Sequence, residues 1–135
     1  MSMRLNTGGH LIDRKKRIEF SFDGKRLFGY SGDTLASALL ANDQVLLGRS
    51  FKYHRPRGLV SIGSEEPNAL VGLGEESRFE PNQRATTTVL FEGLVAKSQN
   101  RWPSLNFDVG ELNSLLSSFS FSVIVSVRRN INWFN

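Results

Sequence analysis

The sequence predicts a small α+β domain, and three observations lead to this fold class. Residues 18–30 alternate between apolar and polar side chains around Asp23-Gly24, which is typical of a β-hairpin. Residues 34–42 follow with a helical pattern. Short β-prone segments come next, separated by a long irregular stretch. These segments are residues 45–47, 69–73 and 84–90, and residues 91–96 either extend the last segment or form its partner.

Length and composition restrict the class of protein. A chain of 135 residues is expected to form one domain. It contains no cysteine, which excludes disulfides, thiolate zinc sites, thiol nucleophiles and cysteine-ligated iron–sulfur clusters. The net charge of +4 is modest and spread over several segments, so a solvated surface is expected. The absence of cysteine gives no sign of an oxidising compartment, so we expect a cytoplasmic protein. No signal peptide and no apolar run long enough to span a membrane is visible in the sequence.

The first predicted elements are the two strands of the hairpin. Residues 18–22 alternate Ile, Glu, Phe, Ser and Phe, the period-two pattern of a half-buried strand. Asp23-Gly24 then predicts a two-residue turn, and residues 25–30 return as the second strand. The basic run at residues 14–17 is interpreted either as an anion-binding patch or as a charged strand edge.

The clearest predicted helix covers residues 34–42. Leu35, Ala38 and Leu39 lie on one face at helical spacing, and the segment is rich in alanine. Asp33 precedes it, and we expect its carboxylate to cap the first turn. The sequence therefore predicts a hairpin followed by a helix, and then a long loop.

That loop, residues 49–71, has an unusual composition. Its first nine residues hold five cationic side chains and two aromatic ones. Pro56 favours an extended backbone at Arg55, so that Arg55 and Arg57 present planar guanidinium groups. Two interpretations stay open: the arginines recognise an anion, a nucleotide or an acidic protein surface, or they brace the loop by pairing with Glu65, Glu66 or backbone carbonyls.

Motifs for catalysis and for metal or cofactor binding are absent from the sequence. His10 and His54 are far apart, and neither has a second ligand at metal spacing. Neither a dinucleotide fingerprint nor a nucleophile elbow occurs. Glu65 and Glu66 are adjacent, and neighbouring carboxylates in a loop usually point apart, so they are interpreted as solvated or capping groups. We expect no catalytic residue, bound cofactor or metal in this chain.

Three segments resemble one family. They are residues 32–41 (GDTLASALLA), 48–58 (GRSFKYHRPRG) and 63–71 (GSEEPNALV). Together they are similar to the N-terminal region of the alpha subunit of heterotetrameric sarcosine oxidase, over about residues 15–118. The resemblance implies a β-grasp fold of the two-iron two-sulfur ferredoxin type.

Related subunits carry a Cys-x4-Cys-x2-Cys motif in this loop. Placing that spacing after Leu59-Val60 puts Ser61, Glu66 and Ala69 at the three thiolate positions. Cluster iron is held by cysteine thiolates, and none is present. The resemblance therefore implies a ferredoxin-like scaffold without its cluster.

The resemblance also implies a larger assembly. The family's alpha subunit continues into NAD-binding and tetrahydrofolate-linked domains, and the complex demethylates sarcosine oxidatively with flavins on the beta subunit. The implied partners are the downstream alpha domains and the beta, gamma and delta subunits, with no nucleic acid or membrane. We expect this chain to be a docking or structural fragment without turnover of its own. The residues assigned to docking or loop bracing are Arg49, Phe51, Tyr53, His54, Arg55, Arg57, Glu65 and Glu66.

Two further expectations concern organisation and an alternative function. We divide the chain into a flexible arm (1–14), a ferredoxin-like domain (15–100), a connector with a short helix at 109–118 (101–118), and an aberrant tail (119–135). The tail departs from the family pattern, so we expect a truncated or frame-shifted product. The alternative is a stand-alone basic module that binds an acidic protein or a nucleotide through residues 49–57.

Overall fold

A computed structural model of the chain describes residues 3–112, 114 and 116. This part of the chain contains seven strands, the α-helix α1 (Leu35–Ala41) and three single-turn 3-10 helices, and residues 112, 114 and 116 are also helical. In chain order these are β1 (Asp13–Phe22), β2 (Lys25–Ser31), α1 (Leu35–Ala41), β3 (Leu46–Arg49), β4 (Pro56–Gly58), a 3-10 turn (Gly63–Glu65), β5 (Leu70–Leu73), a 3-10 turn (Glu76–Arg78), β6 (Glu80–Arg84), β7 (Leu94–Lys97) and a 3-10 turn (Val109–Glu111).

Five of the strands form one mixed sheet in the order β2-β1-β7-β5-β6. Strand β7 pairs in parallel with β1, whereas the other neighbours in the sheet are antiparallel. Strands β3 and β4 form a separate antiparallel hairpin. A hairpin, a helix and a later strand inserted beside β1 make the β-grasp, which confirms the predicted fold.

The β1–β2 hairpin follows directly from its sequence. Ile18, Phe20 and Phe22 are buried on one face of β1, as the alternating pattern predicts. Asp23 and Gly24 form the turn with φ of 51° and 79°. Two consecutive positive φ angles match the right-handed twist of the flanking strands, and glycine adopts such angles without a steric penalty.

Helix α1 begins one residue later than the sequence predicted. Thr34 is the N-cap: its hydroxyl accepts a hydrogen bond from the Ser37 N–H at 3.2 Å, and the Ser37 hydroxyl accepts one from the Thr34 N–H. The expectation that Asp33 caps the helix was wrong. Asp33 is buried, and its carboxylate instead accepts hydrogen bonds from the Tyr30 N–H and the Arg4 guanidinium.

The core lies between α1 and the sheet. The helix buries Leu35, Ala38 and Leu39 against aromatic side chains of β1. Each fully buried side chain of leucine or phenylalanine size contributes about 1.5–3 kcal/mol. Gly29 of β2 allows the close approach, because a Cβ at that position would lie 2.4 Å from the Leu90 side chain and 3.0 Å from the Ala38 Cβ.

The segment from residue 84 to residue 90 is the clearest departure from the sequence prediction. A strand was expected there from its β-branched residues, but β6 ends at Arg84 and the chain then turns. The turn accepts hydrogen bonds from the start of α1: the Leu35 N–H donates to the Thr88 carbonyl and the Ala36 N–H to the Ala85 carbonyl. Satisfying these helix-terminal donors outweighs the local strand preference.

The N-terminal arm is anchored on the domain, and the connector at the other end is described only in part. The N-terminal arm, expected to be flexible, is anchored by Arg4 on Asp33, with atom distances of 2.6 and 3.0 Å, and β1 already begins inside it at Asp13. The connector is helical at Val109–Glu111. The predicted tail (119–135) and part of the predicted connector helix lie outside the described residues, and the predicted domain boundaries stay predictions.

Among the residues described, no helix has the length and apolar character needed to span a bilayer.

Candidate functional site

The candidate site is the loop between β3 and β5, together with the connector that packs against it. The chain leaves β3 at Arg49, turns back as β4, makes the 3-10 turn at Gly63–Glu65, and enters β5 at Leu70. The sequence predicted this stretch as one shaped loop. Its two halves have different roles, because the first carries the basic side chains and the second surrounds Glu66.

Glu66 is fully buried at the centre of the second half. Its Oε2 accepts hydrogen bonds from the backbone N–H groups of Val60 at 2.8 Å and Ser61 at 2.6 Å. Its Oε1 accepts two more, from Asn68 at 2.7 Å and Ala69 at 3.1 Å. One carboxylate therefore holds both sides of the loop together through four backbone donors. Such charge-assisted bonds are stronger than those between neutral groups.

Two opposing effects set the acidity of Glu66. Burial disfavours the ionised form and on its own would raise the pKa. The N–H groups of Ser61, Asn68, Val60 and Ala69 all favour the carboxylate, and together they hold the pKa of Glu66 below its ordinary value of 4.5. Glu66 is therefore ionised at neutral pH although no cationic side chain pairs with it among the described residues.

The lowered pKa predicts acid sensitivity. In the unfolded chain Glu66 is protonated near its ordinary pKa of 4.5, whereas in the folded chain it stays ionised to lower pH. Its contribution to stability is therefore complete above about pH 5 and is lost as the pH falls through the folded-state pKa. Urea unfolding of the wild type and of Glu66→Gln between pH 7 and pH 3 should show a stability difference that shrinks with acid. A difference that stays constant over this range would contradict the assignment.

The loop does not fit an iron–sulfur cluster. Ser61, Glu66 and Ala69 stand at the positions that the resemblance aligns with thiolates, and none of them can supply the sulfur ligands that cluster iron requires. The Glu66 carboxylate also occupies the backbone N–H groups at these positions. Within the described part of the chain, no group of three or more histidine, cysteine or acidic residues is arranged to hold a metal ion.

A second contact that closes the loop was missed by sequence reasoning. The Thr86 hydroxyl donates a hydrogen bond of 2.6 Å to the carbonyl of Gly63. Thr86 is buried and lies in the turn after β6, far from the loop in sequence. Since Thr86 was assigned to a strand, no sequence signal pointed to this contact. The turn after β6 thus supports both the helix start and the Glu66 loop.

In the first half of the loop, Arg49 points inward and is 5% exposed. Its Nε and Nη2 donate to the Leu105 carbonyl at 3.0 and 2.6 Å, and Nη1 donates to the His54 carbonyl at 2.9 Å. Nη1 also donates to the Glu111 carboxylate at 3.0 Å. Arg49 thereby joins the β3–β4 hairpin to the connector. Among the basic residues of the loop, Arg49 makes the largest number of these internal contacts, and the sequence did not single it out from the others.

His54 and Asp108 form a second contact between the hairpin and the connector. The His54 Nδ1 lies 2.9 Å from Oδ1 of the fully buried Asp108 side chain. Burial alone would raise the pKa of Asp108, but contact with His54 and the N–H groups of Trp102 and Gly110 lower it below its ordinary value. Gly110 is required by this packing, since a Cβ there would lie 2.5 Å from the imidazole.

The remaining basic and aromatic side chains of the loop are directed away from the core. Phe51 is 86% exposed, and Lys52 and Arg55 each lie 5.1 Å from the centre of the Tyr53 ring. Arg57 donates a short hydrogen bond to the Asn68 side chain, so it braces the loop through an amide rather than a carboxylate. Glu65 is exposed beside the buried Glu66. The structure thus separates the candidate residues into an inner group around Arg49, His54 and Glu66 and an outer group around Phe51.

Comparison with known proteins places the fold and the loop in a wider context. The 2Fe-2S iron-sulfur cluster binding domain family matches residues 15–101. The sarcosine oxidase subunit alpha of Rhizobium meliloti (strain 1021) is 61% identical over 118 residues, which is 87% of this chain and 12% of the relative. The sarcosine oxidase subunit alpha of Corynebacterium sp. (strain U-96) is 41% identical over 67% of this chain and 10% of its own length. These relatives confirm the resemblance to sarcosine oxidase alpha subunits.

One solved structure is also similar. The crystal structure of L-proline dehydrogenase from P. horikoshii superposes with a TM-score of 0.51 and 27% sequence identity, over 67% of this chain and 17% of that one. This chain therefore spans only a small part of each relative that it matches.

Proposed function

We propose a structural and docking function for this chain, which belongs to the 2Fe-2S iron-sulfur cluster binding domain family. In this proposal it is the β-grasp part of an alpha subunit of the sarcosine oxidase type. It helps to assemble the enzyme and does not transfer electrons itself. The cofactors of the enzyme, which we propose to be NAD, flavins and tetrahydrofolate, belong to other parts of the complex.

One observation carries this proposal: the Glu66 carboxylate closes the loop that the resemblance aligns with the cluster-binding loop of related subunits. Four backbone N–H groups donate to it. In cluster proteins, thiolate ligands and hydrogen bonds to sulfur determine how the cluster is held. With a carboxylate in this place and no cysteine in the sequence, the loop keeps a defined shape without a redox centre. A scaffold that retains its shape but has no redox centre is suited to packing against neighbouring domains.

The enzyme around this domain is proposed from its relatives. Two proteins named sarcosine oxidase subunit alpha match most of this chain. We propose that the parent complex oxidatively demethylates sarcosine to glycine and passes the one-carbon unit to tetrahydrofolate. The alternative, a stand-alone basic module, has less support because Arg49 is buried and His54 contacts Asp108, so that fewer cations face solvent than the sequence suggested.

The proposal is tested on the 135-residue chain produced in cells supplied with iron and sulfide. We expect cooperative unfolding, no visible absorbance from a cluster, iron and acid-labile sulfide far below one per chain, and no oxidation of sarcosine. A cysteine-containing ferredoxin-type domain purified in parallel shows that the cells load clusters. Stoichiometric iron and sulfide, or turnover of sarcosine by the chain alone, would refute a purely structural function.

A further inference from the structure

We propose that the tip of the β3–β4 hairpin and the adjoining connector form one docking surface, which binds an acidic and partly apolar surface on another subunit of the same enzyme. This surface, called the hairpin face below, consists of Phe51, Lys52 and Arg55 on the hairpin and Trp102 and Phe107 on the connector. The inference rests on the proposed function, because it names the surface and the chemistry of the partner.

The hairpin face has an unusual amount of exposed aromatic surface. Phe51, Phe107 and Trp102 are 86%, 71% and 64% exposed. Single exposed apolar side chains are common on soluble proteins, and each of these alone would need no explanation. These three are carried by two segments that contact each other through His54 and Asp108. Aromatic residues and arginine are enriched in the centres of protein–protein interfaces, where they supply much of the binding energy.

Hydrogen bonds within the hairpin tip and within the connector order the backbone of the hairpin face. Within the tip, the His54 N–H donates to the Ser50 carbonyl at 3.0 Å, and the Ser50 N–H donates to the Arg55 carbonyl at 2.9 Å. The connector is fixed in the same way, because the Trp102 N–H donates to the Asp108 carboxylate at 3.0 Å. A surface whose backbone is already ordered loses less conformational entropy on binding.

The charge of the hairpin face determines the kind of partner. Residues 49–64 contain no acidic residue, and Lys52 and Arg55 both lie on the Tyr53 ring at the tip. Of the acidic groups of the connector, Asp108 is buried against His54, and Glu111, which is half exposed, pairs with Arg49. A positive rim around exposed aromatic side chains is complementary to an acidic surface with apolar recesses.

A polypeptide partner fits these features better than a nucleic acid. Single-stranded nucleic acid is bound by a basic groove that follows the phosphates, with aromatic side chains spaced for successive bases. Here the cations are concentrated at one hairpin tip, and the aromatic side chains stand on two separate segments. The relatives are named as alpha subunits, which implies that other subunits exist for such a surface to bind.

The test uses a whole enzyme. The 118-residue segment of the Rhizobium meliloti alpha subunit that matches this chain is replaced by the corresponding part of this chain, and the chimera is produced with the remaining subunits. We expect the unaltered chimera to purify with them. A triple variant, Phe51→Ser/Lys52→Glu/Arg55→Glu, should recover at least about tenfold less of the other subunits at moderate salt. Its melting temperature as an isolated chain should stay within about 3 °C of the parent, because the changed side chains are exposed.

The control variant, Leu11→Ser/Lys15→Glu/Lys16→Glu, likewise changes one apolar residue to serine and two cations to glutamate, at exposed positions just before and in β1, and should assemble normally. If the triple variant assembles as well as the parent, the hairpin face is not a docking surface, and the proposed function still stands. If the unaltered chimera fails to assemble where the R. meliloti enzyme does, the proposed function itself fails. Salt-sensitive binding of a single-stranded oligonucleotide that the triple variant abolishes would assign the face to nucleic acid and overturn the inference.

Discussion

Replacing Glu66 by glutamine is expected to lower the free energy of unfolding by about 3 kcal/mol. The wild-type carboxylate accepts four backbone hydrogen bonds in a fully buried position. A glutamine amide keeps one oxygen and turns an NH₂ group towards two of the four donors. Those two N–H groups then lose their acceptor while buried, and an unmade buried hydrogen bond costs more than a made one contributes.

The neighbouring residue provides a matched control for this prediction. Glu65 has the same side chain, is adjacent in sequence and is exposed, so Glu65→Gln should change the free energy of unfolding by less than about 0.5 kcal/mol. Both variants are compared with the wild type by urea unfolding at pH 7, followed by circular dichroism. Equal and small effects of the two substitutions would show that the Glu66 contacts contribute little to stability.

A large effect at Glu66 would explain how the loop keeps its shape without a cluster. The four donors belong to the residues at or next to the positions of Ser61 and Ala69, which the resemblance aligns with thiolates. Backbone N–H groups that are removed from water need an acceptor. In this chain one carboxylate of the loop itself supplies it, so the loop is independent of iron and sulfide.

Local sequence patterns predicted the elements that are formed by contacts between residues close in sequence. The hairpin followed from strict alternation in β1 and from Asp23-Gly24, and the helix followed from its apolar face. The turn after β6 could not be predicted in this way, because its conformation depends on hydrogen bonds from the start of α1. Asp33 was assigned to the helix cap for a related reason: its partner Arg4 lies in an arm that the sequence pattern left without contacts.

The composition of the sequence identified the candidate site, but it did not show which contacts each residue of the site makes. The sequence showed that residues 49–57 are basic and aromatic, and it could not distinguish arginines that brace the loop from arginines that face solvent. The distinction depends on Leu105, Asp108 and Glu111, which are more than fifty residues away from Arg49 in sequence. Contacts of that separation leave no periodic pattern in a single sequence.

Replacing Arg49 by leucine should lower the free energy of unfolding by about 4 kcal/mol, a larger effect than that of Glu66→Gln. The buried guanidinium donates to the carbonyls of Leu105 and His54 and pairs with Glu111. Leucine fills part of the volume but leaves these acceptors without a donor. It also removes the positive charge of the guanidinium, whose Nε lies 3.9 Å from Oδ2 of Asp108. Removing one partner of a buried charge network costs far more than removing an exposed pair.

Arg55→Leu is the matched control for Arg49, since Arg55 is an exposed arginine of the same hairpin that lies on the Tyr53 ring. It should change the free energy of unfolding by less than about 1 kcal/mol. Urea unfolding gives the global stability of each variant. Hydrogen exchange at the Trp102 and Val109 amides, whose hydrogen bonds lie within the connector, reports whether the connector stays ordered when its contacts with Arg49 are removed. We expect Arg49→Leu to accelerate exchange at both amides and Arg55→Leu to leave it unchanged. If the two arginines proved equivalent in both measurements, Arg49 would not be the residue that joins the hairpin to the connector, and the rigid presentation of the hairpin face would need another cause.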